Sequence, residues 1–389
     1  MFETRMHDRE AGPARGRPLS FFTRAWIDAS STMAARMTLL VERWPRLSAI
    51  PHVDLGTSPT PLERMAKLSS VAGAEVWCKR DDLTGTLYGG NKVRKLEFLL
   101  AQAAAEGADT ILTTGAAGSH HVLATTLYGR RRGFEVHAVV MPQVRNPHVE
   151  ENLRADLKGG AILHPFSGYA MFPAAMAGVA AKLKVQKKRV FVIGPGGSDA
   201  TGVLGYVEAG LEIARQLLDL PGREPDAIYV PLGSGGTAAG LAVGLAAAGV
   251  MAEIVAVRVT PRHLLNKPVL ATLTRGLVQR LREHTDRFPG VGEIAMKNLT
   301  IEEGFLGEGY GYATGAGREA GRVAAETEGL TLDPAYTSKT LAALLAHARG
   351  PRKGQRLLYV HTLSSAPIEP LVEGAPPLSR ALTKLMTEP

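Results

Sequence analysis

The chain is poor in cysteine, in aromatic residues and in long aliphatic runs, and each shortage excludes something. Its one cysteine, Cys78, cannot form an internal disulfide and offers no thiolate cluster for zinc or an iron-sulfur centre. A reducing, cytoplasmic setting is expected. The stretch 232–252 has almost no charge and approaches the length of a membrane span, but glycine and alanine fill it rather than leucine and isoleucine. It reads as a tightly packed internal helix, and no membrane association is expected. No aromatic residue interleaves with the basic runs Arg130-Arg131-Arg132 and Lys187-Lys188-Arg189, so the formal charge of +8 reads as solvated faces rather than a nucleic-acid surface. The first 36 residues mix arginine with Glu3, Asp8, Glu10 and Asp28 and lack the apolar core of a secretion signal. They read as a weakly ordered extension reaching to about residue 38. Met37 is then a hypothetical alternative start of translation, which the mass of the native protein tests.

At 389 residues the chain exceeds the size of one ordinary core, so two lobes with a cleft between them are expected. Beyond Gly107, short β-branched runs alternate with longer helical patterns, as in parallel strands joined by helical crossovers. Strands are expected over 110–114, 135–141, 161–164, 189–193, 227–230, 253–259 and 356–361. Helices are expected over 149–157, 173–184 and 204–218, where apolar residues recur every three or four positions. The fold class is therefore α/β, with mainly parallel, open, twisted sheets flanked by helices. Glycine- and proline-rich links at 194–197 and 221–225 punctuate the middle of the chain, and the first suits a passage between lobes.

Three local patterns carry chemistry. In GTLYGGNKVRKLEFLL, residues 85–100, the apolar residues Val93, Leu96, Leu99 and Leu100 share one helical face, which puts Lys92 in a first helical turn behind Gly89-Gly90. The glycines permit unusual backbone angles and close approach of another molecule, although most lysines at helix starts are simply solvated. In PLGSGGTAAG, residues 231–240, a strand, a glycine loop and a helix start present free amide groups and a positive dipole end, a seat for phosphate. The loop has no lysine, so it is not a nucleotide-triphosphate loop, and the next strand ends in Arg258-Val259-Thr260 where a dinucleotide site needs an acid. A cofactor with a single phosphate fits, with hydroxyls from Ser234 and Thr237. In GAAGSHH, Ser119 caps the following helix or faces the site, and the adjacent His120 and His121 lack the spacing of a metal pair. No metal is expected.

Taken in order, KRDDLTG, YGGNKVRKLEFLL, GAAGSHH, GPGGSDATGVLGYVEA, the phosphate loop, GEGYG and LDPAYTSK resemble one family from about Leu40 to about Pro367. It is the pyridoxal-phosphate enzymes of the tryptophan-synthase-β fold (fold type II), in the branch of 1-aminocyclopropane-1-carboxylate deaminase and D-cysteine desulfhydrase. The resemblance implies a large cofactor-binding domain over 39–93 and 196–375, a small α/β domain over 94–195, a tail over 376–389, a cofactor cleft between the lobes and a homodimer. It implies that Lys92 holds pyridoxal 5'-phosphate covalently, that Gly233, Ser234, Gly235, Gly236 and Thr237 hold its phosphate, and that Asn91 and Lys95 assist. Ser119 corresponds to a serine beside the substrate carboxylate that relays a proton or attacks. Tyr310 and Tyr336 correspond to tyrosines lining the site, Tyr336 against the cofactor ring.

The substrate implied is a small amino acid. Deaminases of this family have an acidic residue after the DPxY tyrosine and a leucine in the late strand element, whereas desulfhydrases have hydroxyl residues. Here these positions are Thr337 and Thr362, and His121 matches a desulfhydrase histidine. A neutral hydroxyl near the pyridine nitrogen stabilises a carbanion poorly, which favours expulsion of a good leaving group over ring opening. A β-eliminating lyase of the D-cysteine desulfhydrase kind is expected. A deaminase or another small-amino-acid lyase comes next, then a racemase, with a non-catalytic binding member as the reading of another class. The chain also departs from the family pattern. His120 replaces an asparagine that contacts the cofactor's phenolic oxygen, and an ordinary histidine titrates near neutral pH. Leu363, Ser364 and Ser365 replace a diglycine element, which is expected to remove room near the cofactor, and Gly118 replaces a polar residue.

Overall fold

Two parallel sheets organise the computed structural model, which describes residues 36–168, 171–220 and 224–388. All of its elements lie in the unit Met37–Pro389. The strands are β1 (Leu62–Arg64), β2 (Glu75–Lys79), β3 (Thr110–Ala116), β4 (Glu135–Met141), β5 (Gln143–Val144), β6 (Ile162–Pro165), β7 (Val190–Val192), β8 (Ala227–Leu232), β9 (Glu253–Arg258), β10 (Leu299–Glu302), β11 (Arg356–Val360) and β12 (Met386–Thr387). One sheet has the order β1-β2-β11-β8-β9-β10, parallel except for the antiparallel β1–β2 pair. The other has the order β6-β4-β3-β7 and is wholly parallel. The α/β reading holds, and each of the seven expected strands is present with its ends moved by at most two residues.

Burial explains why the central strands were legible. All six residues of β8 are buried, as in a parallel strand covered on both faces, so an unbroken apolar run marks it. The strands missed in the sequence lack that signature. β2 ends on Lys79, a lysine at 0% exposure whose amine pairs with Glu212 and donates to the Thr60 carbonyl at 2.7 Å. A charge inside a strand hides the strand. β10 is a four-residue edge with only Leu299 buried.

The stretch 232–252 does contain a packed helix, Gly236–Ala248, lying against the helix Leu204–Leu218. A Cβ on Gly244 would sit 2.3 Å from the Val207 carbonyl oxygen, so the small residues set the contact distance. Among the described residues no helix is long and apolar enough to cross a membrane. The first basic run is exposed, and in the second Lys188 pairs with Glu135 at 2.7 Å.

Helix Asn91–Ala105 is held at its first turn by a buried ion network. Arg94 reaches Asp81 at 2.8 Å and Glu212 at 2.9 Å, and the Tyr206 hydroxyl donates to Asp81 at 2.7 Å. Burial by itself would raise the Glu212 carboxyl, but Arg94 and Lys79 overcome it and hold the group at about 2. Breaking such a network leaves a charge unpaired in the interior, at a cost of roughly 3–5 kcal/mol. The register of this helix, and hence the place of Lys92, is anchored by electrostatics as well as by Val93, Leu96, Leu99 and Leu100, all buried.

The expected extension over 1–38 lies outside the described residues except for its last three, and so do the first three positions of the 221–225 link. The 194–197 link forms a tight turn, Pro195–Gly197, between β7 and the helix Leu204–Leu218. At the other end, β12 pairs with β5, while Leu382, Leu385 and Met386 pack on Ala117, Val122 and Val140. The C-terminal segment therefore covers the back of the loop that carries Ser119.

Candidate active site

Lys92 is the second residue of its helix, behind Gly90 at φ +88°. The diglycine supplies the unusual backbone angle expected of it, and protein backbone packs closely against both glycines. A Cβ on Gly89 would fall 2.1 Å from the Asp82 carbonyl oxygen, and one on Gly90 2.6 Å from that of Thr362. The Asn91 amide donates to the same Thr362 carbonyl at 3.1 Å. Ser364 and Ser365 hydrogen-bond to this loop. Ser364 Oγ accepts from the Gly89 amide at 2.7 Å, and Ser365 Oγ donates to Asp82 at 2.6 Å. The late element thereby latches the turn that presents Lys92.

Among the described residues the Lys92 amine makes no hydrogen bond. Burial lowers its pKa to about 8, against a smaller upward pull from Asp333. Its helix neighbours meet the glycine loop. Asn91 Nδ2 donates to Thr237 Oγ1 at 3.0 Å, and Lys95 Nζ donates to Ser198 Oγ at 2.8 Å and to the Gly196 carbonyl at 3.1 Å. Ser198 Oγ in turn lies 2.7 Å from Ser234 Oγ. Burial pushes the Lys95 amine well down, and the charge of Lys92 adds to the effect.

The loop itself runs from the end of β8 into the N-terminus of the helix Gly236–Ala248, with Gly235 left-handed at φ +86°. A Cβ on Gly236 would lie 2.4 Å from Ser198 Oγ and 2.9 Å from Lys95 Nζ, so the bare backbone forms a small polar cradle. The ring of Tyr336 covers Gly233, where a Cβ would come within 3.0 Å of Cε1. Tyr310 and Tyr336 meet edge to face, centroids 5.7 Å apart, with their hydroxyls 2.7 Å apart. Lys339 secures the Tyr310 loop by donating to the carbonyls of Leu306 at 2.7 Å and Gly309 at 3.0 Å.

Thr337 is fully buried and its hydroxyl is committed. It donates to Asp333 Oδ2 at 2.6 Å and accepts from the Asp333 amide at 2.7 Å. Asp333, which sequence reasoning passed over, also accepts from the amides of Ala335, Tyr336 and Thr337 and places its charge near Lys92. Ser119 caps the helix His120–Arg131, accepting from Val122 at 3.3 Å. The Gly118 amide is taken by Gln143 Oε1 at 2.9 Å. His121 is buried beneath Gly197 with Nε2 3.1 Å from Thr113 Oγ1, and Thr362 is buried behind the Lys92 turn. His120 lies on a different side of the helix, against Tyr88 and Asn152.

A family model for pyridoxal-phosphate dependent enzymes matches residues 53–362. The chain belongs to that family. It is 35% identical over 325 residues to a D-cysteine desulfhydrase of Salmonella paratyphi C, covering 81% of this chain and 94% of the relative. It is also similar to the solved structure of an ACC deaminase homologue, with 29% identity, TM-score 0.68, and coverage of 88% of this chain and 98% of the other. A fungal L-serine ammonia-lyase from Rhizomucor miehei aligns with TM-score 0.54 at 18% identity over 83% of this chain and 97% of its own, a likeness of fold. The cofactor is pyridoxal 5'-phosphate, and the residues present fit it. An amine poised near neutrality stands at one end, and a side-chain-free cradle with hydroxyls at a helix N-terminus stands at the other. Ser198 and Asp333 were missed although both lie inside recognised motifs, because only the fold shows which of several polar residues bridges the parts.

Proposed function

We propose that the protein is a pyridoxal-phosphate-dependent lyase that eliminates the β-substituent of a small amino acid, with D-cysteine as substrate and pyruvate, ammonia and sulfide as products. The observation that carries this reading is the Lys92 amine, lowered to about 8 within reach of the charge of Asp333, the carboxylate that holds the neutral Thr337 hydroxyl. The bound cofactor supplies an electron sink conjugated to the substrate α-carbon. The residues do the rest. The neutral Lys92 amine takes the proton from Cα, and the electron pair left behind forms the Cα–Cβ double bond as the Cβ–S bond breaks and sulfide departs. The enamine released reacts with water to give pyruvate and ammonia. The phenols of Tyr310 and Tyr336, in mutual contact, hold a proton at the rim of the site, where the departing sulfur can receive it. Ser119 binds the substrate carboxylate. Gly233, Ser234, Gly235, Gly236 and Thr237 bind the phosphate, with Asn91 and Lys95 behind them.

Thr337 favours elimination because its one O–H hydrogen is committed to Asp333, leaving no proton for the pyridine nitrogen. His121 and Thr362 are proposed as specificity residues that act by fixing the walls of the site. The segment 94–195, with its own four-stranded sheet, is proposed as the small lobe, 39–93 and 196–375 as the cofactor-binding lobe, and the assembly as a homodimer in the cytoplasm. Likeness to the ACC deaminase homologue supports a second reading, deamination of 1-aminocyclopropane-1-carboxylate. Sulfide and pyruvate release from D-cysteine, compared with 2-oxobutyrate release from the cyclopropane acid, separates the two. Activity on the second substrate alone defeats the first reading, and inactivity on both defeats each.

A further inference from the structure

His120 stands where the family resemblance implies an asparagine, and its surroundings constrain it tightly. Its Nδ1 lies 2.6 Å from the Tyr88 hydroxyl and 3.3 Å from Asn152 Nδ2. The orientation of the Asn152 amide is independently fixed, since the same Nδ2 donates to the Gly118 carbonyl at 2.9 Å. A primary amide nitrogen only donates, so Nδ1 must accept. Tyr88 is buried, its ring stacked on the imidazole with centroids 6.4 Å apart, and burial raises its phenol far above the ordinary value. The phenol keeps its proton and gives its hydrogen bond to Nδ1 as well. With two donors on Nδ1, the ring hydrogen of a neutral imidazole has one place left, Nε2.

The charged form is disfavoured from several sides. Burial is the main cause of a pKa near 4, helped by His148 and Lys92 and opposed by Asp333. Nε2 itself makes no hydrogen bond among the described residues and is not among the fully buried polar atoms that lack a partner, so it remains accessible, on a ring that feels the charge of Lys92. We propose that Tyr88 and Asn152 lock His120 as the neutral Nε2–H tautomer, making it a fixed hydrogen-bond donor to an anionic oxygen bound next to Lys92. The oxygen belongs to the cofactor ring or to the substrate carboxylate. A donor of this kind replaces an amide N–H without adding a titrating group, which is how a histidine can occupy this position while the site keeps its charge state across neutral pH.

The tautomer requires no assumption about the reaction, while the identity of the anionic partner rests on the proposed small-amino-acid lyase. Protein labelled with 15N-histidine, with the His120 signals assigned by their absence in His120→Asn, reads both parts. In cofactor-free protein, long-range proton-nitrogen correlations are expected to show Nε2 protonated and Nδ1 bare from about pH 6 to 9. Asn152→Leu, or Asn152→Ala where the first does not fold, leaves Nδ1 facing only a hydroxyl that can accept as well as donate, and is expected to give a mixture of tautomers. A shift of the Nε2 signal on loading with pyridoxal 5'-phosphate alone assigns the acceptor to the cofactor. A shift that appears only on adding D-alanine, which has the carboxylate but no leaving group, assigns it to the substrate. A protonated Nδ1, an imidazolium at neutral pH, or an Nε2 signal indifferent to both ligands overturns the proposal. Absence of D-cysteine turnover leaves the tautomer result standing, so the two readings fail separately.

Discussion

Replacing Lys92 by methionine removes a charge that the site buries without a hydrogen-bond partner among the described residues. The lysine titrates at about 8 in the folded chain against an ordinary value of 10.5. At about 1.36 kcal/mol per unit, the folded protein at pH 7 carries a penalty of about 3 kcal/mol for keeping this amine protonated. Below pH 8 the amine is charged in both folded and unfolded chains, and the whole penalty is present. Between 8 and 10.5 the unfolded chain holds a proton the folded one has lost, so stability rises with pH, and above 10.5 the penalty is gone. Lys92→Met is therefore expected to stabilise the cofactor-free protein by about 3 kcal/mol at pH 7 but only about 1 kcal/mol at pH 10. Urea unfolding of both proteins at the two pH values measures this, and the pH dependence separates the charge effect from any change in packing. A stability difference that does not change with pH refutes a depressed Lys92, and with it the idea that the site itself prepares the amine. The functional counterpart is the neutral fraction, about a quarter at pH 7.5 compared with about 0.1% for an ordinary lysine. The rate of cofactor capture by apoprotein should accordingly inflect near pH 8.

Three further substitutions probe the rest of the site. Gly236→Ala places a methyl group 2.4 Å from Ser198 Oγ, and the displacement should weaken cofactor affinity at least about tenfold, read by absorbance titration of the apoprotein; unchanged affinity would show that the cradle is not the phosphate site. Tyr310→Phe keeps the ring but breaks the 2.7 Å hydroxyl pair, so kcat/KM on D-cysteine should fall by about 10²-fold while cofactor binding persists. Retention of full activity removes the phenol pair from the proton path. Thr337→Val leaves Asp333 without its shortest buried hydrogen bond and should cost about 1–3 kcal/mol in thermal or urea unfolding, whereas a neutral effect would mean that Asp333 finds other partners.

Much of the fold was legible because parallel strands covered on both faces leave unbroken β-branched runs, and the glycine loops between strand and helix are punctuated by residues that admit no substitute. β3, β4, β8, β9 and β11 were found this way. β2 and β12 were not, since one buries a lysine against a distant glutamate and the other is two residues long and depends on β5 for its existence. At the site, Lys92 and the 233–237 loop stood out as motifs. The backbone partners of the diglycine did not, because close packing against a distant segment leaves no mark in a local sequence pattern. Ser364 and Ser365 stood out as departures from a motif, and their partners at Gly89 and Asp82 show that they also hold the lysine turn.

By itself, the sequence determined that this chain is an α/β protein with a lysine at a helix start, a single-phosphate loop after a buried strand, and the motif order of one cofactor family. These are properties of short segments, where local periodicity and backbone freedom are sufficient causes. The tertiary structure decided what those groups are chemically. It buries the Lys92 amine until it loses its proton near neutrality, commits the Thr337 hydroxyl to Asp333, and presses two donors from Tyr88 and Asn152 onto one nitrogen of His120. Protonation states depend on desolvation and on charges brought together from residues 88, 92, 120, 152 and 333, and no local pattern encodes that convergence.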